Sequence, residues 1–250
     1  MTAPLDPALM LRGYAAGIFP MADSRDAAEV FWVEPRRRAI IPLDNFHCSR
    51  SLARRLRSGR FEITCDAAFE QVMQACANRD ETWINGDIER ATLGLHAAGH
   101  AHSVECWHDG LLVGGLYGVA LGGAFLGESM FSLMTDSSKV ALAWLVARMK
   151  VGGFSLLDCQ FMTSHLASLG ARQVSRDAYV GLLGAALGSG RVTVGSALVA
   201  GPASPSGTGA TAEGRLPDFG ALDRLLEDDG LAGAAAPSGQ RIAQLLGQTS

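Results

Sequence analysis

The sequence predicts an α+β protein in three parts: a small basic N-terminal domain (1–62), a mixed-sheet domain (63–195) and a flexible C-terminal tail (196–250). Three observations predict it. Between 63 and 195, strand and helix periodicities follow one another so that an antiparallel meander precedes one helix and a returning strand. The charge is uneven. The chain has 21 Lys+Arg against 25 Asp+Glu, a net −4, yet residues 1–62 hold ten Arg and seven acids, the middle part eight basic and twelve acidic residues, and the tail three Arg and six acids. Finally, 32 of the 55 residues after 195 are Gly, Ala, Pro, Ser or Thr, the composition of a flexible linker.

Each element has a local reason. Leu9–Ala16 reads as a short helix stopped by Gly17, with Pro20 beyond. Phe31–Leu43, broken by Pro35 and Pro42, reads as extended segments and turns. Ser49–Ser58 reads as an Arg-faced helix capped by Ser49 and ended near Gly59. Phe61–Cys65 alternates like a strand. Asp66 is expected to cap a helix from Ala67 to Ala77, with Phe69, Val72, Met73 and Cys76 at helical spacing, and Asp87 to open another to Ala98, before Gly99. Strands follow at 102–107, 111–121 and 124–132, then a helix from Ser137 to Lys150 and a strand from Phe154 to Gln160. The remaining pattern is a helix at 164–169, a strand at 171–174, a helix at 176–187 and a strand at 191–195. This order fits a fold of the acetyltransferase (GNAT) type. In the tail, 200–215 reads as linker and Phe219, Leu222, Leu225 and Leu226 as one or two amphipathic turns, most of the rest being disordered.

Composition narrows the function. With 48% hydrophobic and 18% charged residues the chain is globular, and its acidic balance excludes a polybasic nucleic-acid binder as a whole. The basic excess lies between Glu34 and Arg60, where a phosphate-contacting surface is expected. Five cysteines without a C-x-x-C argue for a reducing cytoplasm. The N-terminus shows no signal-peptide pattern. Gly110–Gly127 is 18 residues without a charge, but its seven glycines and the Gly122-Gly123 break favour two strands and a turn over a membrane span. His96, His100, His102, Glu105, Cys106 and His108 cluster in sequence without paired metal-ligand spacing, so hydrogen-bonded histidines are expected there and no metal.

Three groups stand out as chemistry. Glu128 interrupts an apolar strand, as an acid paired on an edge strand or one facing a substrate amine or hydroxyl. Asp158 and Gln160 end the strand Leu156–Gln160, where site residues collect, and fall on one face by strand alternation. They either cap the next loop or position a nucleophile. Trp32, Trp83 and Trp107 lie near loop or strand ends, as core residues or as platforms for RNA bases.

In order, Tyr14-x-x-Gly17-x-Phe19-Pro20, Trp32 with Pro35-Arg36-Arg37, Arg50-Ser51-Leu52, Thr82-Trp83-Ile84, Gly127-Glu-Ser-Met-Phe-Ser132, Ser138-Lys139 and Leu157-Asp-Cys-Gln160 make the chain resemble the bacterial leucyl/phenylalanyl-tRNA–protein transferase family over about 10–195. The resemblance implies a small N-terminal domain and an acetyltransferase-like catalytic domain. It implies transfer of Leu, Phe and less readily Met from aminoacyl-tRNA (Leu-tRNA, Phe-tRNA) to proteins with N-terminal Arg or Lys, marking them for degradation. No cofactor is implied, because the ester is already activated, and a cytoplasmic monomer is expected. Asp158 and Gln160 would sit at the reacting centre, with Gln160 an orienting partner because an amide is a poor base. Glu128 would hold the terminal ribose. Trp32 and Trp107 would contact the 3′ adenosine. Phe125, Met130 and Leu145 would line the side-chain pocket, Leu145 standing where the family often has Phe. Arg50, Arg54, Arg55 and Arg57 would meet the tRNA backbone. The alternatives are an acetyl-CoA-dependent N-acetyltransferase, disfavoured by the glycine-free Leu133–Ser138 with its Asp136, and a noncatalytic tRNA-binding module.

Overall fold

The computed structural model describes residues 5–79, 81–188, 193–194, 197–198 and 216–247. Helix α1 (Pro7–Ala15) opens the chain, capped by Asp6, which accepts the Ala8 N–H at 2.9 Å. Strands β1 (Phe19–Met21) and β2 (Phe31–Val33) form an antiparallel ribbon beside it. Trp32 lies against Gly13 of α1 so closely that a Cβ there would come within 2.1 Å of the indole. Ribbon and helix meet only because position 13 carries no side chain.

Then come β3 (Arg37–Ile41), α2 (Arg50–Arg57), β4 (Glu62–Cys65), α3 (Phe69–Ala77) and α4 (Gly86–Ala97). The meander is β5 (Ala101–His108), β6 (Leu111–Leu121) and β7 (Ala124–Ser132), followed by α5 (Ser137–Val151) and β8 (Leu156–Gln160). The remaining elements are α6 (Ser164–Ser168), β9 (Arg172–Ser175), α7 (Arg176–Gly188), a two-residue ribbon of β10 (Thr193–Val194) and β11 (Ala197–Leu198), and helices α8 (Ala221–Asp228) and α9 (Ala235–Gly247). The Gly-rich stretch folds as the β6–β7 hairpin, turning through Gly122 at φ +55°. Among the described residues no helix is long and apolar enough to cross a membrane.

The fold is α+β with a mixed sheet of seven strands in the order β4-β5-β6-β7-β8-β3-β9. Among the described residues only β7 and β8 pair in parallel. The sheet straddles the boundary expected at residue 62, because β3 is inserted between β8 and β9. Its run Ala39-Ile40-Ile41 is buried on both faces, as an interior strand requires, and the flanking prolines disguise it in the sequence. One face of the sheet carries α5; the other carries α1, α3, α4 and α7.

The tail is the main correction. Residues 216–247, expected as mostly disordered, are folded onto the α5 side. Leu222, Leu226, Ile242 and Leu246 are buried with the core of α5 and α2, and α9 packs along α2 with Gly239 against the Leu56 carbonyl. Phe219 stacks on Phe125 (5.4 Å between centroids) and on His102 (4.2 Å). Arg148 donates to the Phe219 carbonyl at 2.8 Å and pairs with Asp223 at 2.5 Å. The amphipathic turns expected at Phe219–Leu226 are helix α8, whereas abundant Gly and Ala mask the spacing of α9. The linker expected at 200–215 and most of the strand expected at 191–195 lie outside the described residues.

Candidate active site

Two local irregularities build the site. On β7, Gly127 faces Gly118 and Ser129 faces Tyr117, so Glu128 is the extra residue of a β-bulge. The bulge resets the alternation: Leu126 and Phe131 both face the α3–α4 side, and Met130 faces α5. Glu128 is thereby turned out of the ladder. On β8, Asp158 faces Ile40 and Gln160 faces Ala39, which leaves Cys159 as the extra residue. Gln160 follows at φ +59°, a left-handed conformation uncommon for a non-glycine residue.

Asp158 holds that conformation in place. It is fully buried, and so is Arg38 of β3. Arg38 Nε donates to both oxygens of Asp158 (2.9 and 3.0 Å), and Nη2 to Oδ2 at 2.6 Å. The Tyr179 hydroxyl of α7 donates to Oδ2 at 3.0 Å, and the Gln160 backbone N–H to Oδ1 at 2.8 Å. The guanidinium lies between the rings of Phe19 and Tyr179, 4.5 Å from each centroid. Both oxygens of the carboxylate are thus occupied by donors, as a buried charge demands.

Glu128 is different. Its Oε1 accepts the Gln160 side-chain N–H at 3.0 Å, and no other hydrogen bond of full geometry reaches it among the described residues. Burial raises its pKa to about 7. Tyr14 opposes that shift, Asp158 adds to it, and Arg38 and Gln160 oppose it. The Tyr14 and Tyr117 hydroxyls are buried and meet no partner at full hydrogen-bond geometry among the described residues, yet Tyr14 stabilises the Glu128 carboxylate as a hydrogen-bond donor. Burial, with the field of Glu128 second, pushes both phenols well above their ordinary range, so both remain O–H donors.

β7 and β8 pair only over Ala124–Leu126 and Leu156–Asp158. Past that point they part, and a cleft of 410 Å³ opens in the split. Its apolar wall includes Met130, Leu142, Leu145, Leu157 and Leu166; Glu128, Gln160 and Tyr117 line the polar side. Arg79 and His165 line the cleft too and also border the adjoining hollow of 360 Å³ beside Ser138 at the start of α5.

The structure therefore brings Glu128, Gln160, Met130 and Leu145 to one cleft, with Asp158 directly behind it. It does not bring Trp32, Trp107 or Phe125 there. Trp32 buttresses α1. Trp107, on β5, donates its indole N–H to Thr64 at 2.8 Å, and Thr64 in turn donates to the buried Glu105. Phe125 is fully buried under Phe219. On α2, Arg50, Arg54 and Arg57 are exposed, whereas Arg55 is half-buried and paired with Asp136 at 3.2 Å. The clustered histidines find local partners: His96 the Ala101 carbonyl, His102 Asp66, and His108 the Arg60 carbonyl. Sequence reasoning missed Arg38, Tyr179 and Tyr14 as site residues. Arg38 had a usable signal, since it directly precedes the apolar run of β3, and Tyr14 stood in the first motif of the resemblance without a role; Tyr179 had none.

Comparison with known proteins then places the chain. The family model described as leucyl/phenylalanyl-tRNA protein transferase matches residues 40–184, and the N-terminal domain model of the same family matches 3–36. A leucyl/phenylalanyl-tRNA–protein transferase of Rhizorhabdus wittichii is 57% identical over 254 residues, covering 98% of this chain and 99% of its own length. One from Zymomonas mobilis is 50% identical over 270 residues, covering all of both. Among solved structures, that of L-PGS from Bacillus licheniformis is similar at a TM-score of 0.37 and 13% identity, over 66% of this chain and 56% of that one, and nothing is drawn from so distant a likeness.

Proposed function

The chain belongs to the leucyl/phenylalanyl-tRNA–protein transferase family and is an aminoacyltransferase, and from that premise we propose that it moves Leu, Phe and less readily Met from aminoacyl-tRNA to the α-amino group of proteins that begin with Arg or Lys. The modified proteins are thereby marked for degradation in the cytoplasm, with the enzyme acting as a monomer. The observation that carries this reading is the split between β7 and β8: an apolar cleft with a carboxylate and an amide on its polar side.

Ester-to-amide transfer starts from an activated acyl group, so the protein's task is alignment, charge stabilisation and proton handling. Met130, Leu142, Leu145 and Leu166 suit an aliphatic or aromatic donor side chain and reject a charged one, while separating Leu from Met weakly. Gln160, held in the left-handed conformation by Asp158, offers one N–H to Glu128 and keeps a second N–H and its carbonyl for substrate. Glu128 faces the position of the terminal ribose. Arg50, Arg54 and Arg57 meet tRNA phosphates; Arg55 is left out of that surface, because Asp136 already neutralises it.

The test supplies labelled Leu-tRNA to the purified protein with a peptide beginning with Arg and another beginning with Glu. Label is expected in the Arg peptide alone, without acetyl-CoA. No incorporation, or incorporation that needs acetyl-CoA, overturns the reading.

A further inference from the structure

We propose that Glu128, and not Asp158, accepts the proton released when the acceptor amine attacks the ester, and returns it to the departing ribose oxygen. The inference rests on the transfer reading above. It follows first from occupancy. Both Asp158 oxygens are taken up by Arg38, Tyr179 and the Gln160 backbone N–H, and the carboxylate has no exposed surface. A carboxylate so engaged positions its neighbours and takes no proton from a substrate. Among the described residues Glu128 is the only carboxylate that lines the cleft, and its Oε2 accepts no hydrogen bond of full geometry.

The step balances without a further reactant. The neutral amine nitrogen forms the C–N bond, and the carbonyl electron pair moves to oxygen. The nitrogen, now cationic, passes its proton to Glu128. As the carbonyl re-forms, the C–O bond to the ribose breaks, the ribose oxygen takes the proton from Glu128, and amide, free tRNA hydroxyl and carboxylate remain. A carboxyl raised to about 7 by burial exchanges protons in both directions near neutrality. The groups that face it are Tyr14 from α1, Tyr117 from β6, Arg38 from β3 and Asp158 and Gln160 from β8, with Arg79 and His165 lining the same cleft. Tyr14 lowers the Glu128 pKa, so α1 tunes the acid.

The experiment is single-turnover transfer from Leu-tRNA to a peptide beginning with Arg, on either side of neutral pH, with Leu-tRNA affinity and thermal melting measured in parallel. The carboxylate is the active form, so the rate falls as pH falls through about 7. Glu128→Gln is expected to slow transfer by roughly 100-fold or more while affinity changes by no more than about threefold. Tyr14→Phe, which removes the hydroxyl that stabilises the Glu128 carboxylate, is expected to move the acid limb to higher pH, a readout that a merely structural residue leaves alone. A near-normal rate for a folded Glu128→Gln, a loss confined to Leu-tRNA affinity, or an unmoved limb in Tyr14→Phe overturns the proposal. Absence of leucine transfer by the unsubstituted protein overturns the underlying reading instead, and shows before any variant is made.

Discussion

Arg38 and Asp158 separate stability from chemistry at the level of single residues. Removing one partner of a fully buried ion pair strands the other charge, which costs about 3–5 kcal/mol. Arg38→Met and Asp158→Leu are each expected to destabilise by that much in urea unfolding, and the double variant to recover most of it, because both charges then leave together. Recovered stability without recovered transfer identifies the pair as the support of Gln160. Gln160→Gly is the complement: glycine adopts φ +59° at no steric cost, so the fold holds and transfer is lost with the amide. Glu128 adds a pH signature. Its folded pKa lies above the ordinary carboxylate value, so the native state binds the extra proton and stability declines as pH rises from about 4.5 to about 7. Glu128→Gln flattens that decline, which melting curves across the window detect.

Among the elements, α2 is the clearest case of what a sequence conveys. Its Ser49 cap and its arginine face were legible from the sequence, and the structure adds Leu52 and Leu56 as its buried side. Spacing says nothing of which arginine a distant acid has taken, and Arg55 is paired with Asp136, 81 residues away. Reversing Arg54 and Arg57 to Glu is expected to weaken tRNA binding and flatten its dependence on salt, since each lost phosphate contact lowers the counterion release. An affinity series in potassium chloride checks this, and an unchanged slope moves the footprint off α2. The site divides along similar lines. Glu128 and Gln160 were readable because a polar residue in an apolar strand is conspicuous. Their mutual contact was not, because alternation fails at a bulge, and both β7 and β8 carry one.

Across the whole molecule, residues 216–247 of the tail belong to the fold. The described part covers α5 and seats Phe219 on Phe125. Phe219→Ala is expected to cost about 3–4 kcal/mol, read as a lowered melting temperature. Deleting 216–250 uncovers an apolar face together with Arg148, whose partner Asp223 leaves with the tail. That truncation is expected to bind an apolar dye and to aggregate, without any direct change at the cleft. The meander and its helices were legible because their order is local. The docking of α9 was hidden because Ala and Gly supply little hydrophobic signal while still allowing close helix contact.

Inserting β3 between β8 and β9 also fixes a timetable. Arg38 leaves the ribosome 120 residues before Asp158, an interval of roughly 6–24 s at ordinary elongation rates of about 5–20 residues per second. During it, Ile40 and Ile41 have no strand on either side, a sticky segment that invites chaperones. The insertion delays activity: a product stopped before residue 158, however well its meander has formed, has no Asp158 to hold Gln160 and cannot consume charged tRNA beside the ribosome that is making it.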